Sequence, residues 1–189
     1  EIMSYVLEGA VGHTDTGGNS SRVGAGGAQV MQTGRGISHQ EEMHGERTDF
    51  FQIWFEPDLR QSLQEPATYA DFESEDFPVE STEAGVRVKR IIGEGGPVQV
   101  AAPVKASDVT LESGASYGLE LKAGEVANLV VISGAGQVAG TEAVATDYFQ
   151  VGAESDGSVE LTAGAGSGAD GLRVMAVVVP LEPGYQLHA

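Results

Sequence analysis

Apolar residues occur along this chain in short runs that glycine-containing turns separate, a pattern typical of β-strands and not of long helices. The first run, Ile-Met-Ser-Tyr-Val-Leu at 2–7, predicts a buried strand at the start of the sequence. Strands are predicted at 2–7, 29–31, 37–41 and 49–55, with a further short segment at 20–23. This rhythm of short strands and turns favours a β-barrel or a β-sandwich.

The segment 56–82 breaks this rhythm, because it is acidic, contains Pro57, Pro66 and Pro78, and shows little periodicity. We interpret it as an exposed connector with one helical turn at 59–63. Strands are predicted again at 86–92, 98–101, 107–111, 116–121, 127–132, 158–162 and 172–179. The expected fold is therefore all-β, with a first domain at 1–82 and a second β domain at 83–189.

The composition of the chain argues against several classes of function. The 189 residues include 28 acidic and 10 basic ones, which gives a net charge of −18. Binding to phosphate backbones needs clustered cations, so direct nucleic-acid binding is not expected, and an anionic membrane surface is disfavoured for the same reason. The longest apolar runs have the length of a strand and not of a membrane helix. The chain has no cysteine, which fits a cytoplasmic protein and leaves imidazole and carboxylate groups as the possible metal ligands.

The sharpest chemical feature is the pair His39 and Glu41. Residues i and i+2 of a strand project from the same face, so an imidazole and a carboxylate would point into one space. If that face lines a barrel, the pair offers two adjacent ligands for iron, manganese, nickel, copper or zinc. On spacing alone, an exposed polar strand end is the commoner meaning of such a pair.

The remaining histidines are interpreted as surface groups. His13 shares a strand face with Asp15 just before a Gly-Gly-Asn turn, and we expect it in solvent and not on a metal. His44 is expected in a loop in preference to a proton shuttle at the mouth of the pocket, and His188 is expected in a frayed C-terminal segment. Gln52 and Trp54 share a strand face, and either could pack near the cavity, but Trp54 is expected in the core because large aromatic side chains bury much apolar area.

Longer strings around the His39–Glu41 pair resemble the pirin family. The matching strings are YVLEG at 5–9, VGHTD at 11–15, QVMQTGRGISHQE at 29–41 and QIW at 52–54. Their order and spacing match over residues 1–55, whereas the second half of the chain resembles the family only in its strand rhythm. The 29–41 string is much more specific than an isolated His-x-Glu.

Pirins are bicupins, so the resemblance implies two cupin-type β-barrels, the first of which lacks its N-terminal strands in this chain. It also implies an iron-type site of three histidines and one glutamate, in which His39 and Glu41 are the third histidine and the glutamate. The resemblance places the other two histidines, an H-x-H pair, just before Glu1. Fe(II) is the implied metal, with Mn, Ni, Cu or Zn as alternatives. The site is expected to be incomplete in this chain, and metal binding is expected to be weak because each missing ligand weakens it.

The second half contains no histidine before His188, so no imidazole site is expected in its barrel. The glycine-rich run at 164–168 is expected to be a surface loop. It is not interpreted as a phosphate-binding loop, because no Lys-Ser/Thr follows it.

Three functions follow from the resemblance. The first is an iron-dependent dioxygenase that cleaves a flavonol such as quercetin, with Glu41 as metal ligand, as base, or as both in turn. The second is a regulatory protein that acts through protein partners according to the state of its metal. The third is a degenerate bicupin with neither activity. The protein is expected to be a monomer or a weak homo-oligomer.

Overall fold

The computed structural model describes residues 1–82, 84–165 and 171–188. These residues form fourteen β-strands and one short α-helix, which confirms the predicted all-β fold class. They divide into two compact units. The first unit comprises 1–77, 97–102 and 185–188, and the second comprises the described residues of 78–96 and 103–184. No described helix has the length and hydrophobicity needed to cross a bilayer.

One curled antiparallel sheet forms the first unit. Its elements are β1 (Ile2–Asp15), β2 (Ser20–Gly24), β3 (Ala28–Gln32), β4 (His39–Trp54) and β5 (Thr68–Phe72), with α1 (Leu59–Ser62) and a 3-10 turn (Ser74–Asp76). The long strand β1 pairs with β4 on one side, and with β3 and then β2 on the other. Strand β5 continues the sheet beyond β3. The central position of β1 explains its almost continuous burial.

A bulge in the middle of β1 decides which of its side chains face the inside of the sheet. The pairing of β1 with β4 shifts register on both sides of Glu8. Next to it, Gly9 has a φ of +74°, and a Cβ there would lie 2.4 Å from the carbonyl oxygen of Arg47. Before the bulge, the even-numbered Ile2 and Ser4 line the inner pocket, whereas after it the odd-numbered His13 does so.

The core of the first unit is small and lies along β1. Met3, Tyr5 and Val6 are completely buried, and the Tyr5 ring meets the edge of Phe77 with ring centroids 6.5 Å apart. Burying an apolar side chain of this size contributes about 1.5–3 kcal/mol. This packing fixes the first half of β1, from which the polar side chains of the inner face project.

The second unit is a nine-stranded antiparallel sheet. Its strands are β6 (Val79–Ser81), β7 (Val86–Ile92), β8 (Lys105–Leu111), β9 (Ser116–Leu121), β10 (Glu125–Val138), β11 (Thr141–Val144), β12 (Tyr148–Gly152), β13 (Gly157–Ala163) and β14 (Leu172–Pro180). The first part of β10 lies between β12 and β14, and its last part between β11 and β13. Strand β10 thus belongs to both halves of a curled sheet, which is how one antiparallel sheet closes around a core.

Aliphatic side chains fill the interior of the second unit. Leu111, Leu129, Leu161 and Leu172 are completely buried and belong to one cluster supplied by most strands of the unit. Strand β10 needs glycine at position 134, where φ is +81° and a Cβ would lie 1.9 Å from the carbonyl oxygen of Gly171. The interior is therefore a packed core, in contrast to the polar inner face of the first unit.

Several sequence predictions of local structure were wrong. Residues 56–82 are not simply an exposed connector, because β5 pairs with β3 and β6 pairs with β7. The strands predicted at 37–41 and 49–55 are parts of one strand, β4, and residues 98–101 form no strand. Strands β11 and β12 were not predicted at all. Residues 166–168 of the glycine-rich run lie outside the described residues.

Candidate functional site

The predicted pair, His39 and Glu41, lies at one pocket on the inner face of the first unit. His39 and Glu41 both line it, together with Ser4, Gln29 and Tyr69. The pocket measures ≈ 10 Å³, which is about the room of one water molecule or one ion. His39 is exposed and Glu41 is half-buried, so the pocket lies at the accessible side of the sheet.

Three hydrogen bonds hold the carboxylate of Glu41. Its Oε1 accepts from Ser4 Oγ at 2.6 Å and from Gln29 Nε2 at 2.9 Å. Its Oε2 accepts from Gln52 Nε2 at 2.5 Å. Because these donors come from β1, β3 and β4, the carboxylate is fixed by three strands at once.

Behind Gln29 lies a second row of polar groups. The Tyr69 hydroxyl donates to Gln29 Oε1 at 3.1 Å and lies 2.7 Å from Ser21 Oγ. Burial raises the pKa of the Tyr69 phenol to about 12. The phenol therefore keeps its proton at neutral pH and remains a donor to Gln29.

His13 and Asp15 form a buried pair next to the pocket. Nε2 of His13 lies 2.9 Å from Oδ2 of Asp15. The other bonds to this carboxylate come from the turn, with Gly17 N and Asn19 N donating to Oδ1 at 2.8 and 3.0 Å and Asn19 Nδ2 to Oδ2 at 2.9 Å. The His13 bond, followed by those from Asn19 and Gly17, holds the pKa of Asp15 well below its usual range. Since an ionised carboxylate can only accept, His13 carries a proton on Nε2.

The expectation that His13 lies in solvent was wrong. Only 4% of His13 is exposed, because its ring stacks on Tyr69 with centroids 4.0 Å apart. The ring of His39 lies nearly parallel to it, with centroids 5.8 Å apart. The sequence signal that was present concerns Asp15 and not this burial, since a carboxylate just before a turn can accept from the backbone N–H groups of the turn.

Three further expectations also failed. Trp54 is 72% exposed, not in the core, and its Nε1 donates to Gln52 Oε1 at 3.0 Å. His44 lies within β4 and not in a loop, with Nε2 3.6 Å from Glu42. The backbone N–H of His188 donates to Glu56 Oε1 at 2.5 Å, so this end of the first unit is tied down and not frayed.

The donor types of the pocket fit a divalent metal, but their number is small. His39 and Glu41 offer an imidazole and a carboxylate, which suit iron, manganese, nickel, copper and zinc. Within the described residues, no group of three His, Cys, Asp or Glu side chains is arranged to hold a metal ion. The described residues therefore provide two candidate donors on this pocket, and a complete metal site would need further ones.

Two curled antiparallel sheets, one with a polar inner face and one with a packed core, define the chain as a bicupin-type protein. The structure is similar to that of the Escherichia coli pirin YhhW in complex with nickel(II), with a TM-score of 0.72 and 22% identity. The match covers 95% of this chain and 72% of that one, and at this identity it shows the fold.

Sequence comparison shows which known proteins the chain resembles. Residues 1–55 match the Pirin family. A Pseudomonas aeruginosa protein with the provisional name quercetin 2,3-dioxygenase is 36% identical over 155 residues, covering 80% of this chain and 64% of its own length. A pirin-like protein of Caulobacter vibrioides is 39% identical over 95 residues, covering 49% of this chain and 34% of its own. The chain is thus similar to pirins in its first 55 residues and to pirin-like proteins over a longer stretch, and it spans less than two thirds of the length of these relatives.

Proposed function

We propose that this chain carries part of the metal centre of a pirin-type dioxygenase, with His39 and Glu41 as two ligands of Fe(II). Mn, Ni, Cu and Zn are the alternative metals for the same donors. The observation that supports the proposal best is the placement of both side chains on one pocket, with the carboxylate held by three donors. The missing ligands would come from the H-x-H pair of the family, a pattern that the 189 residues do not contain.

The proposed substrate is a flavonol, because the Pseudomonas relative carries the provisional name of a quercetin dioxygenase. A bound divalent metal would act as a Lewis acid towards the oxygen atoms of such a substrate. Glu41 would accept the proton of the flavonol hydroxyl, since a carboxylate within hydrogen-bond reach can act as a general base. The Ser4, Gln29 and Gln52 donors hold this carboxylate in place for such a role.

Trp54 is the proposed contact for the aromatic rings of the flavonol. The pocket itself is far too small for a three-ring molecule, so the substrate has to lie across the accessible side of β4. Trp54 projects from the same strand face as Gln52 and is 72% exposed. An exposed indole on this face gives a flat aromatic substrate a surface for stacking.

The deciding experiment is oxygen uptake with quercetin. The protein is reconstituted with Fe(II), Mn(II) or Ni(II), and the Glu41→Gln variant is compared with Glu42→Gln. Glu42 is exposed and follows Glu41 directly on β4. Its variant therefore also removes one negative charge, but from the opposite face of the strand. We expect turnover that only Glu41→Gln abolishes, and absence of turnover with every metal would overturn the enzymatic proposal.

Substrate binding can be tested separately, since Trp54 is the only tryptophan of the chain. Quercetin is expected to quench its fluorescence in a saturable manner, after correction for absorbance against free N-acetyltryptophanamide. A linear, unsaturated decrease identical to that of the free indole would remove Trp54 from the proposed substrate contact.

The regulatory alternative is also supported by one observation. Met43 and Trp54 are 62% and 72% exposed, and exposed large apolar side chains are common at protein–protein contacts. A specific partner retained by the wild type but lost by a Met43→Ser/Trp54→Ser variant, in a preparation without quercetin turnover, would favour this alternative. Full oxygen uptake with quercetin would argue against it.

A further inference from the structure

The hydrogen bonds of Glu41 are unevenly divided between its two oxygens. Each carboxylate oxygen can accept two hydrogen bonds. Oε1 already accepts two, from Ser4 and Gln29, whereas Oε2 accepts one, from Gln52. Within the described part of the chain, the remaining acceptor position of this carboxylate is thus on Oε2.

The side chain of Gln29 is oriented from both ends. Its amide nitrogen must face Glu41, because an ionised carboxylate offers no proton. Its amide oxygen faces the Tyr69 hydroxyl, which donates to it at 3.1 Å. Only 3% of Gln29 is exposed, so water cannot easily replace either partner. Reversal of the amide would place the Gln29 oxygen against Oε1 of Glu41, so that two acceptors would face each other.

Ser4 completes the arrangement from the neighbouring strand. It lies directly opposite Gln29 in the pairing of β1 with β3, and directly opposite Gln52 in the pairing of β1 with β4. Only 1% of Ser4 is exposed. Its hydroxyl and the Gln29 amide therefore approach Oε1 from two adjacent strands whose relative position the sheet fixes.

We propose that Gln29 and Ser4 are positioning residues that hold Oε1 of Glu41 so that Oε2 is the atom left for a metal or a substrate proton. Tyr69 supports them by fixing the orientation of the Gln29 amide. The inference rests on the proposed role of Glu41. Neither Gln29 nor Ser4 is itself a candidate ligand, so their effect has to pass through the carboxylate. Removing a residue that hydrogen-bonds to a metal ligand typically weakens metal affinity by about 10–100-fold.

The first test needs no metal. Crystal structures of the wild type, Gln29→Leu and Tyr69→Phe are compared at the same neutral pH. We expect a single Glu41 conformation in the wild type and two or more in Gln29→Leu. Tyr69→Phe keeps the ring that stacks on His13 and removes only the hydroxyl, so it serves if Gln29→Leu does not fold. An unchanged Glu41 carboxylate in the variant that folds would overturn the inference.

The second test measures nickel affinity by titration calorimetry, with paramagnetic broadening of the amide signals of residues 39–41 to locate the ion. We expect Gln29→Leu and Ser4→Ala to weaken binding by about 10–100-fold, and Tyr69→Phe to weaken it less. Gln40→Leu is the matched control, because Gln40 is exposed on the opposite face of β4. In a Glu41→Gln background, Gln29→Leu should have no further effect, which a general loss of packing would not reproduce.

The two proposals can fail separately. If Glu41→Gln leaves nickel affinity unchanged, the proposed metal-binding function is wrong, and the crystallographic comparison still decides whether Gln29 orients the carboxylate. If Glu41→Gln weakens binding but Gln29→Leu and Ser4→Ala do not, Glu41 is a ligand and the positioning inference is wrong.

Discussion

His13 and Glu41 occupy directly opposite positions on β1 and β4. The same pairing places Asp15 opposite His39, so the buried His13–Asp15 pair lies beside the two candidate ligands. Directly opposite side chains of an antiparallel pair have Cβ atoms about 4.5–5.5 Å apart. The position of the candidate ligands is consequently coupled to the turn that binds Asp15.

His39→Ala should weaken nickel binding to this chain by at least about 10-fold, because the imidazole is one of the two donors on the pocket. Titration calorimetry at pH 7.5 measures the affinity. His44→Ala is the matched control, since His44 lies on the same strand and does not line the pocket. Equal affinities of the two variants would contradict the assignment of His39 as a ligand.

Asp15→Asn should destabilise the protein at neutral pH and lose this effect in acid. Hydrogen bonds from His13 and the turn lower the pKa of Asp15 in the folded state. A lowered pKa stabilises the fold above the unfolded-state pKa of about 3.9, and this contribution disappears as the pH falls through the folded-state pKa. Thermal unfolding of both proteins from pH 7 to pH 2.5 checks the sign. The difference in Tm should shrink below about pH 4, and a difference that grows there would contradict the prediction.

Gly9→Ala should destabilise the first unit by more than about 1 kcal/mol, because a positive φ is costly for a residue with a Cβ. The added Cβ would also lie 2.4 Å from the Arg47 carbonyl oxygen. Gly24→Ala is the control, since a Cβ at Gly24 meets no atom within 4 Å. Urea unfolding followed by the fluorescence of Trp54 compares the two variants. Because the bulge sets which side chains of β1 face inward, Gly9→Ala should also lower nickel affinity.

The part of the site that could be predicted from sequence is the part that depends on local geometry. His39 and Glu41 lie two residues apart on a strand, and their shared face follows from the two-residue alternation of side chains. The burial of His13 depends on β2 and β5, which bring Ser21 and Tyr69 against it from distant parts of the sequence. No local pattern specifies such a contact.

Trp54 and β5 show a second reason for failure. The composition of a segment predicts whether its residues prefer burial, but which strand has a neighbour on each side is a property of the sheet. Strand β5 lies in an acidic, proline-containing segment and yet pairs along its whole length with β3. Trp54 belongs to a strand whose inner face is left accessible near its end, so an aromatic residue that normally packs in a core is exposed.

The second unit offers a stability test that leaves the pocket unchanged. Arg173 Nε lies 3.0 Å from Oδ1 and Nη2 2.6 Å from Oδ2 of Asp108, across the pairing of β14 with β8. Asp108 is only 5% exposed, so removing the guanidinium leaves a carboxylate that water reaches poorly. Arg173→Met should therefore lower the free energy of unfolding by about 2–4 kcal/mol.

A double-mutant cycle identifies the cause of that loss in stability. In the double variant Arg173→Met/Asp108→Asn, the carboxylate that Arg173 contacts is also gone, so the total loss should be smaller than the sum of the two single losses. Urea unfolding followed by far-ultraviolet circular dichroism measures all four proteins, and nickel affinity should remain at the wild-type value in each. Strict additivity would show that the ion pair contributes nothing beyond the packing of the two side chains.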